Sequence, residues 1–469
     1  MIFTSIAFLI FLSVLLASFI IARGNTTRTY LLLIASYFFY GWWDYRFMLL
    51  LFFASFTAWW LGNKMVETND PLKKKRYLQL SLVISLGTLA FFKYFNFFVG
   101  SFYGVLGIEK SVFWEITLPV GISFYIFQAV SYSIDLYRGN ISHCHSLTKF
   151  LLYVSFFPQL VAGPIVRAVD FLPQLDKDIR IRKENVIVGA QLFLGGAIQK
   201  VIFADTLRQF ADPIFAEPTL YSAGTLWLAM LAFAGQIFGD FAGYSLMAIG
   251  IARIFGFELP ENFRMPYISR SITEFWRRWH KSLSFWLRDY LYISLGGNRK
   301  GLHRTYFNLI ATMVLGGLWH GASWNFVLWG FLHGMALAIH KLWETTSIAR
   351  TFKSNLPTAN ALFGWSLTFL FVCLLWIPFR AETFEISSQF LQGMFTFQQG
   401  IQWYHTPSLA IFALLFIWHS LYIIKAKPLM SYPDVGITRF HTAYALSITT
   451  LMIVIFAPED ASPFVYFQF

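Results

Sequence analysis

The chain has 469 residues, of which 57% are hydrophobic, 20% aromatic and only 13% charged. Soluble domains average about 45–50% apolar and about 25% charged residues, so a water-soluble enzyme is excluded and a polytopic membrane protein is implied. The net charge of +12 comes from short basic runs between apolar segments, which is the pattern of positive-inside topology and not of nucleic-acid binding.

A membrane helix needs roughly 20 predominantly apolar residues. Residues 2–22 form the first such run. It lacks a basic leader and a small-residue cleavage site, and a retained helix is expected. Residues 30–43 and 47–61 follow as a hairpin around Asp44, Tyr45 and Arg46, where dense aromatics mark a membrane interface. The loop 64–76, with Lys73, Lys74, Lys75 and Arg76, is placed in the cytoplasm. An even number of crossings puts the basic loop 23–28 on the same side and the N-terminus outside.

Residues 78–98 and 118–137 cross next, and Pro119 and Gly121 predict a broken entry to the second. Pro158, Gly163 and Pro164 argue against a straight helix over 147–166. A re-entrant segment shielded by protein is predicted there. Arg180, Arg182 and Lys183 return the chain to the cytoplasmic face. Apolar segments then recur at 186–204, 226–255, 306–318, 324–340, 363–377, 409–424 and 442–456, and Asp240 lies inside the second of these. The expected total is ten to twelve membrane segments, re-entrant ones included. No internal repeat or long linker appears, and one integral-membrane domain over 1–469 is expected. The loops 341–360 and 381–406 are the candidates for extramembrane structure. Two cysteines without CxxC spacing, Cys144 and Cys373, point to neither a disulfide framework nor a metal site.

The stretch 271–324 carries the polar residues that need a reason. Ser271 and Glu274 stand at capping-box spacing, so a helix is predicted to start there. Trp276, Trp279, Leu283, Trp286 and Tyr290 then recur at helical spacing, with Glu274, Arg277, Arg278, Lys281 and Arg288 around the other face. Such a helix is predicted to lie in the membrane interface, with His280 at the border of its apolar face. His320 sits in an apolar run flanked by Gly316, Gly317 and Gly321, which leave room for close backbone or ligand approach.

An intramembrane ionisable residue points to function, and an imidazole can take a hydroxyl proton near neutral pH. No GxSxG, nearby cysteine or HExxH accompanies His320, so direct transfer to a bound hydroxyl is the chemistry that requires fewest other groups. Read from the residues alone, His320 is either that base or a histidine that hydrogen-bonds across the bundle. His280 is either a site residue or an imidazole in headgroup water, and Asp240 either a site residue or the partner of a buried lysine or arginine. Arg277 is a substrate clamp or an interface anchor.

The stretches SITEFWRRWHKSLSFWLRDYLYISLGGNRKG (271–301) and LGGLWHGASWNFVLWGFLHG (315–334) resemble the membrane-bound O-acyltransferase (MBOAT) family, in its AlgI-like branch of bacterial polysaccharide O-acetylation. LLLIASYFFYGWW (31–43), LPVGISFYIFQAVSYSIDLYRG (118–139), FFPQLVAGPIVR (156–167), FGDFAGYSLMAIG (238–250) and the closing FVYFQF agree with it. The resemblance implies an all-α bundle with re-entrant and interfacial helices around a tunnel, in a bacterial inner membrane. It implies acetyl transfer from a cytoplasmic thioester, acetyl-CoA or an acyl carrier, with no bound cofactor. The acceptor is an exported polysaccharide, alginate first, with peptidoglycan and cellulose as alternatives. An acyl-group transporter feeding a periplasmic transferase is the further alternative.

His320 matches the family's essential WHG histidine, and His280 the RWH histidine regarded as its second active-site residue. Trp319, Asp240, Arg277 and Asn325 are the candidates for substrate contact. A periplasmic SGNH-type acetyltransferase is the implied partner. The basic runs 73–76 and 299–304 are either a donor phosphate site or topology signals.

Overall fold

The computed structural model describes residues 1–107, 116–142, 146–425 and 450. The expected segment at 442–456, apart from residue 450, the closing FVYFQF and Cys144 lie outside the described residues. The described secondary structure is helical, apart from an isolated bridge between Tyr221 and Ile401. Among the described residues, six helical stretches are long and apolar enough to cross a bilayer: Arg46–Glu67, Pro71–Leu106, Lys183–Ala216, Ala223–Ile254, Trp324–Thr345 and Pro357–Arg380. Shorter apolar helices occur at Ile6–Ile21 and Thr406–Leu421. Exposed rows such as Ile6, Ile10, Val14 and Ile21, or Leu49, Phe53 and Trp60, are apolar. They suit lipid where water would disfavour them. The chain is a multi-pass membrane protein.

Two compact units divide the chain, 1–193 with 247–260, and 194–246 with 261–469. In the first, α1 (Ile6–Ile21), α2 (Asn25–Gly41), α3 (Arg46–Glu67), α4 (Pro71–Leu89), α5 (Phe95–Leu106) and α6 (Ile122–Arg138) come in order. A π turn, Ala90–Tyr94, joins α4 to α5. Asp70 caps α4, accepting from the Leu72 N–H at 2.8 Å, with Pro71 at its first position. The broken entry expected before α6 is present: Gly121 stands at φ 73° and the helix starts at Ile122. α6 is buried along most of its length and packs on α3 and α4.

The proline-rich segment after it consists of α7 (Leu147–Ser155) and one further turn, α8 (Phe157–Leu160), both buried. Their irregular backbone is satisfied by protein. The Phe157 N–H donates to Ser36 Oγ at 3.1 Å, Gln159 Nε2 to the Tyr153 carbonyl at 2.7 Å, and the Tyr153 hydroxyl to the Val166 carbonyl at 2.9 Å. Non-helical backbone at membrane depth requires such partners. A short turn, α9 (Ala168–Phe171), and α10 (Lys183–Ala197) follow.

In the second unit a π segment, Ile198–Ala204, leads into α11 (Asp205–Ala216) and the long α12 (Ala223–Ile254), whose residues from 247 on count with the first unit. A helix apolar all round belongs in a core, and Phe233, Ile237 and Phe238 of α12 are fully or almost fully buried. Then come α13 (Ile272–Arg278), α14 (Lys281–Trp286), α15 (Leu302–His320), α16 (Trp324–Thr345), α17 (Ser347–Asn355), α18 (Pro357–Arg380), α19 (Phe384–Phe395) and α20 (Thr406–Lys425). The loops expected to hold extramembrane structure contain α17 and α19. Trp279, Trp329, Trp376 and Phe379 join the α12 residues in one hydrophobic core.

Candidate active site

The helix starts at the predicted cap, but only the serine half of the capping box forms, because Glu274 reaches the residue before the cap. The Glu274 N–H donates to Ser271 Oγ at 3.2 Å, and Glu274 Oε2 accepts from the Arg270 N–H at 2.9 Å. The single interfacial helix predicted beyond it does not form. α13 ends at Arg278, Trp279 is extended, and His280 adopts a left-handed conformation at φ 41°, ψ 54°. α14 restarts at Lys281 and passes into a π turn, Leu287–Tyr292. For a residue with a Cβ, such backbone costs about 1–3 kcal/mol and persists only where its surroundings enforce it.

The break turns His280 inward. It is fully buried, not in headgroup water, and Trp276 and Trp279 are buried beside it as packing residues. The imidazole lies edge-on to Phe241 at 4.5 Å between ring centres and 5.6 Å from Trp319. Neither ring nitrogen has a hydrogen-bond partner among the described residues. Burial pushes its pKa down to about 3, so the ring is neutral.

His320 is the last residue of α15, and the chain turns at Gly321 into α16. Its ring centre lies 6.4 Å from that of His280 and 5.0 Å from Trp319. Trp329 and Phe379 close around it edge-on at 5.1 and 5.2 Å. His320 and Trp319 are both buried. The flanking glycines serve the close backbone approach that their spacing offered. A Cβ on Gly316 would meet Leu287, on Gly317 the Phe326 carbonyl, and on Gly321 the Phe326 ring. They permit close packing of α15 on α16.

The remaining predicted residues separate. Asp240 pairs with Lys200 at 2.7 Å, and Lys200 also pairs with Asp205 at 2.8 Å, all three buried. This is the buried-partner reading of Asp240, built where the π segment 198–204 carries Lys200 onto α12. Its neighbour Phe241, and not Asp240 itself, supplies the ring contact with His280. Arg277 is exposed on α13. Asn325 is buried and donates through Nδ2 to the Ala381 carbonyl at 2.8 Å, which ties the start of α16 to the end of α18.

His333 escaped the sequence reading. One turn beyond Trp329 on α16, it is fully buried, 4.6 Å from Trp329 and 5.1 Å from Trp276. The second HG dipeptide, at 333–334, was the available signal. The arrangement is a buried, aromatic-walled cluster in which the imidazoles of His280 and His320 are shielded from bulk solvent, where a proton transfer or a developing charge meets little competition from it.

The MBOAT, membrane-bound O-acyltransferase, family model matches residues 72–377. The chain is 41% identical over 501 residues to the probable alginate O-acetylase AlgI of Pseudomonas putida, spanning 100% of each. It is 37% identical over 391 residues to the peptidoglycan O-acetyltransferase of Helicobacter pylori, spanning 77% of this chain and 73% of that one. With the teichoic acid D-alanyltransferase of Bacillus subtilis the identity is 28% over 282 residues, 57% and 69% of the two chains. The match runs through the elements that carry both histidines, and the chain belongs to the membrane-bound O-acyltransferase family, in its AlgI-like branch, as an O-acyltransferase.

Proposed function

We propose that this O-acyltransferase moves an acetyl group from a cytoplasmic thioester, acetyl-CoA or another acyl carrier, across the bacterial inner membrane for O-acetylation of an exported polysaccharide, alginate first. The full-length identity with the probable alginate O-acetylase of Pseudomonas putida carries this reading. The family match through both compact units supports one membrane domain. A periplasmic SGNH-type acetyltransferase is the partner that completes delivery to the polymer.

His320 acts as general base. It takes the proton of the acceptor hydroxyl as that oxygen attacks the thioester carbonyl. The new C–O bond forms, the carbonyl oxygen becomes an oxyanion, and collapse expels the thiolate, which recovers the proton from the imidazolium. His280, neutral and with one N–H in want of an acceptor, supplies a donor for the oxyanion. Trp319 and Asn325 shape the surroundings, and Arg277 and Asp240 are proposed at longer range, for substrate approach and for support of α12. Attack by His320 itself, through an acyl-imidazole, is the second route.

The test uses purified protein, labelled acetyl-CoA and alginate oligosaccharides. His320→Ala is expected to lower turnover by at least about 100-fold, the scale of general-base catalysis. Turnover that survives the substitution would sink the role of His320. The Helicobacter pylori relative favours peptidoglycan as the second acceptor to try.

A further inference from the structure

The orientation of His280 has no hydrogen bond to explain it. A site histidine is commonly held by a carboxylate or carbonyl on its second nitrogen. Here neither nitrogen has such a partner among the described residues, so backbone and ring packing must hold the ring. The backbone is left-handed, a conformation that is costly for a residue with a Cβ.

Four successive residues engage the turn from outside. Glu261 Oε2 accepts from Lys281 Nζ at 2.7 Å. The Asn262 carbonyl accepts from the Lys281 N–H at 2.9 Å, and its Oδ1 accepts from the Ser282 N–H at 3.2 Å and the Ser282 hydroxyl at 2.9 Å. The Phe263 ring lies parallel to His280 at 6.2 Å. The Arg264 N–H donates to the Arg278 carbonyl at 2.9 Å. The segment therefore runs antiparallel to 278–282, and Asn262 is its buried centre, with Nδ2 donating to Ser245 Oγ of α12 at 3.0 Å.

The first N–H groups of a helix need acceptors from outside it. His280 stands at the cap position of α14 and makes no side-chain cap bond. Asn262 takes over that office from 18–20 residues away. Without its side chain, the Ser282 N–H would lose its acceptor and find one a turn back by continuing α13. The helix would then run unbroken and carry His280 out of its place beside His320.

We propose that Asn262 is a positioning residue of the acyl-transfer site: by capturing the backbone after His280 it holds the imidazole in the left-handed turn beside His320. This rests on the reading that His280 takes part in the reaction. The experiment compares Asn262→Leu, Asn262→Asp, His280→Ala and the Asn262→Leu/His280→Ala double variant of the full-length protein, by acetyl-CoA turnover. Leucine keeps the volume and the main-chain carbonyl that Lys281 uses, and removes the side-chain acceptor of Ser282. Aspartate keeps the acceptor, and the Ser245 hydroxyl can turn to donate to it.

Asn262→Leu is expected to lower kcat to within about threefold of His280→Ala with KM for acetyl-CoA little changed, and the double variant to be no slower than His280→Ala. Asn262→Asp should restore kcat to within about tenfold of wild type. Should Asn262→Leu fail to fold, Ser282→Ala removes one donor only, and its smaller loss must vanish in the His280→Ala background. Losses that multiply in the double variant, or wild-type kcat in Asn262→Leu beside a crippled His280→Ala, overturn the role of Asn262 alone. Full activity in His280→Ala overturns the reading beneath it as well.

Discussion

His280 bears on stability as well as on the site. Burial brings its pKa from 6.5 to about 3 in the folded protein. Between those values the unfolded chain binds a proton that the folded chain does not, so stability rises with pH across the window and falls on acidification. The slope from one such group is about 1.4 kcal/mol per pH unit. His280→Gln, which cannot protonate, is expected to flatten the fall of the unfolding midpoint between pH 6.5 and 4. An unchanged slope would show that the imidazole reaches solvent. At this scale the motif histidines were legible as candidates because an ionisable side chain in apolar sequence is costly. The partner of Asp240 was not, because nothing local couples Lys200 to a position forty residues later.

At the scale of elements, the α15–α16 hairpin carries His320, Trp329 and His333 together. Gly317 and Gly330 let the two backbones touch: a Cβ on Gly330 would strike the Met313 carbonyl, and one on Gly334 would come within 2.7 Å of the Ile310 Cα. Small residues spaced in this way let membrane helices approach closely. Gly330→Val is expected to cost about 1–3 kcal/mol by overpacking and to move His320 relative to His280. Thermal unfolding and turnover should fall together. A variant with wild-type midpoint and rate would show that the hairpin tolerates separation. Periodicity predicted α16 well, since its apolar pattern is local. It failed over 271–290, where the pattern continues through a break that distant acceptors impose.

For the molecule as a whole, the basic runs predict orientation. Lys73–Arg76 falls in the first turns of α4, with Lys75 exposed. In a Cys144→Ser background, a Lys75→Cys thiol is expected to react with an impermeant maleimide in inverted vesicles and not in intact spheroplasts. Cys373 is buried and should stay silent. Labelling from the outer face would reverse the proposed topology.

The sequence by itself determined the membrane class, the apolar helices, the shielded irregular segment at 147–166 and the family. These follow from composition, local periodicity and long motifs, which need no knowledge of what packs on what. Only the tertiary structure decided the meeting of His280 with His320, the pairing of Asp240 with Lys200 and the filling of the space beside the glycines by Phe326 and Leu287. Each depends on groups far apart in the chain that become neighbours when the helices pack. The break at His280 is the clearest case: the local pattern favours a continuous helix, and the hydrogen bonds from Asn262 decide otherwise.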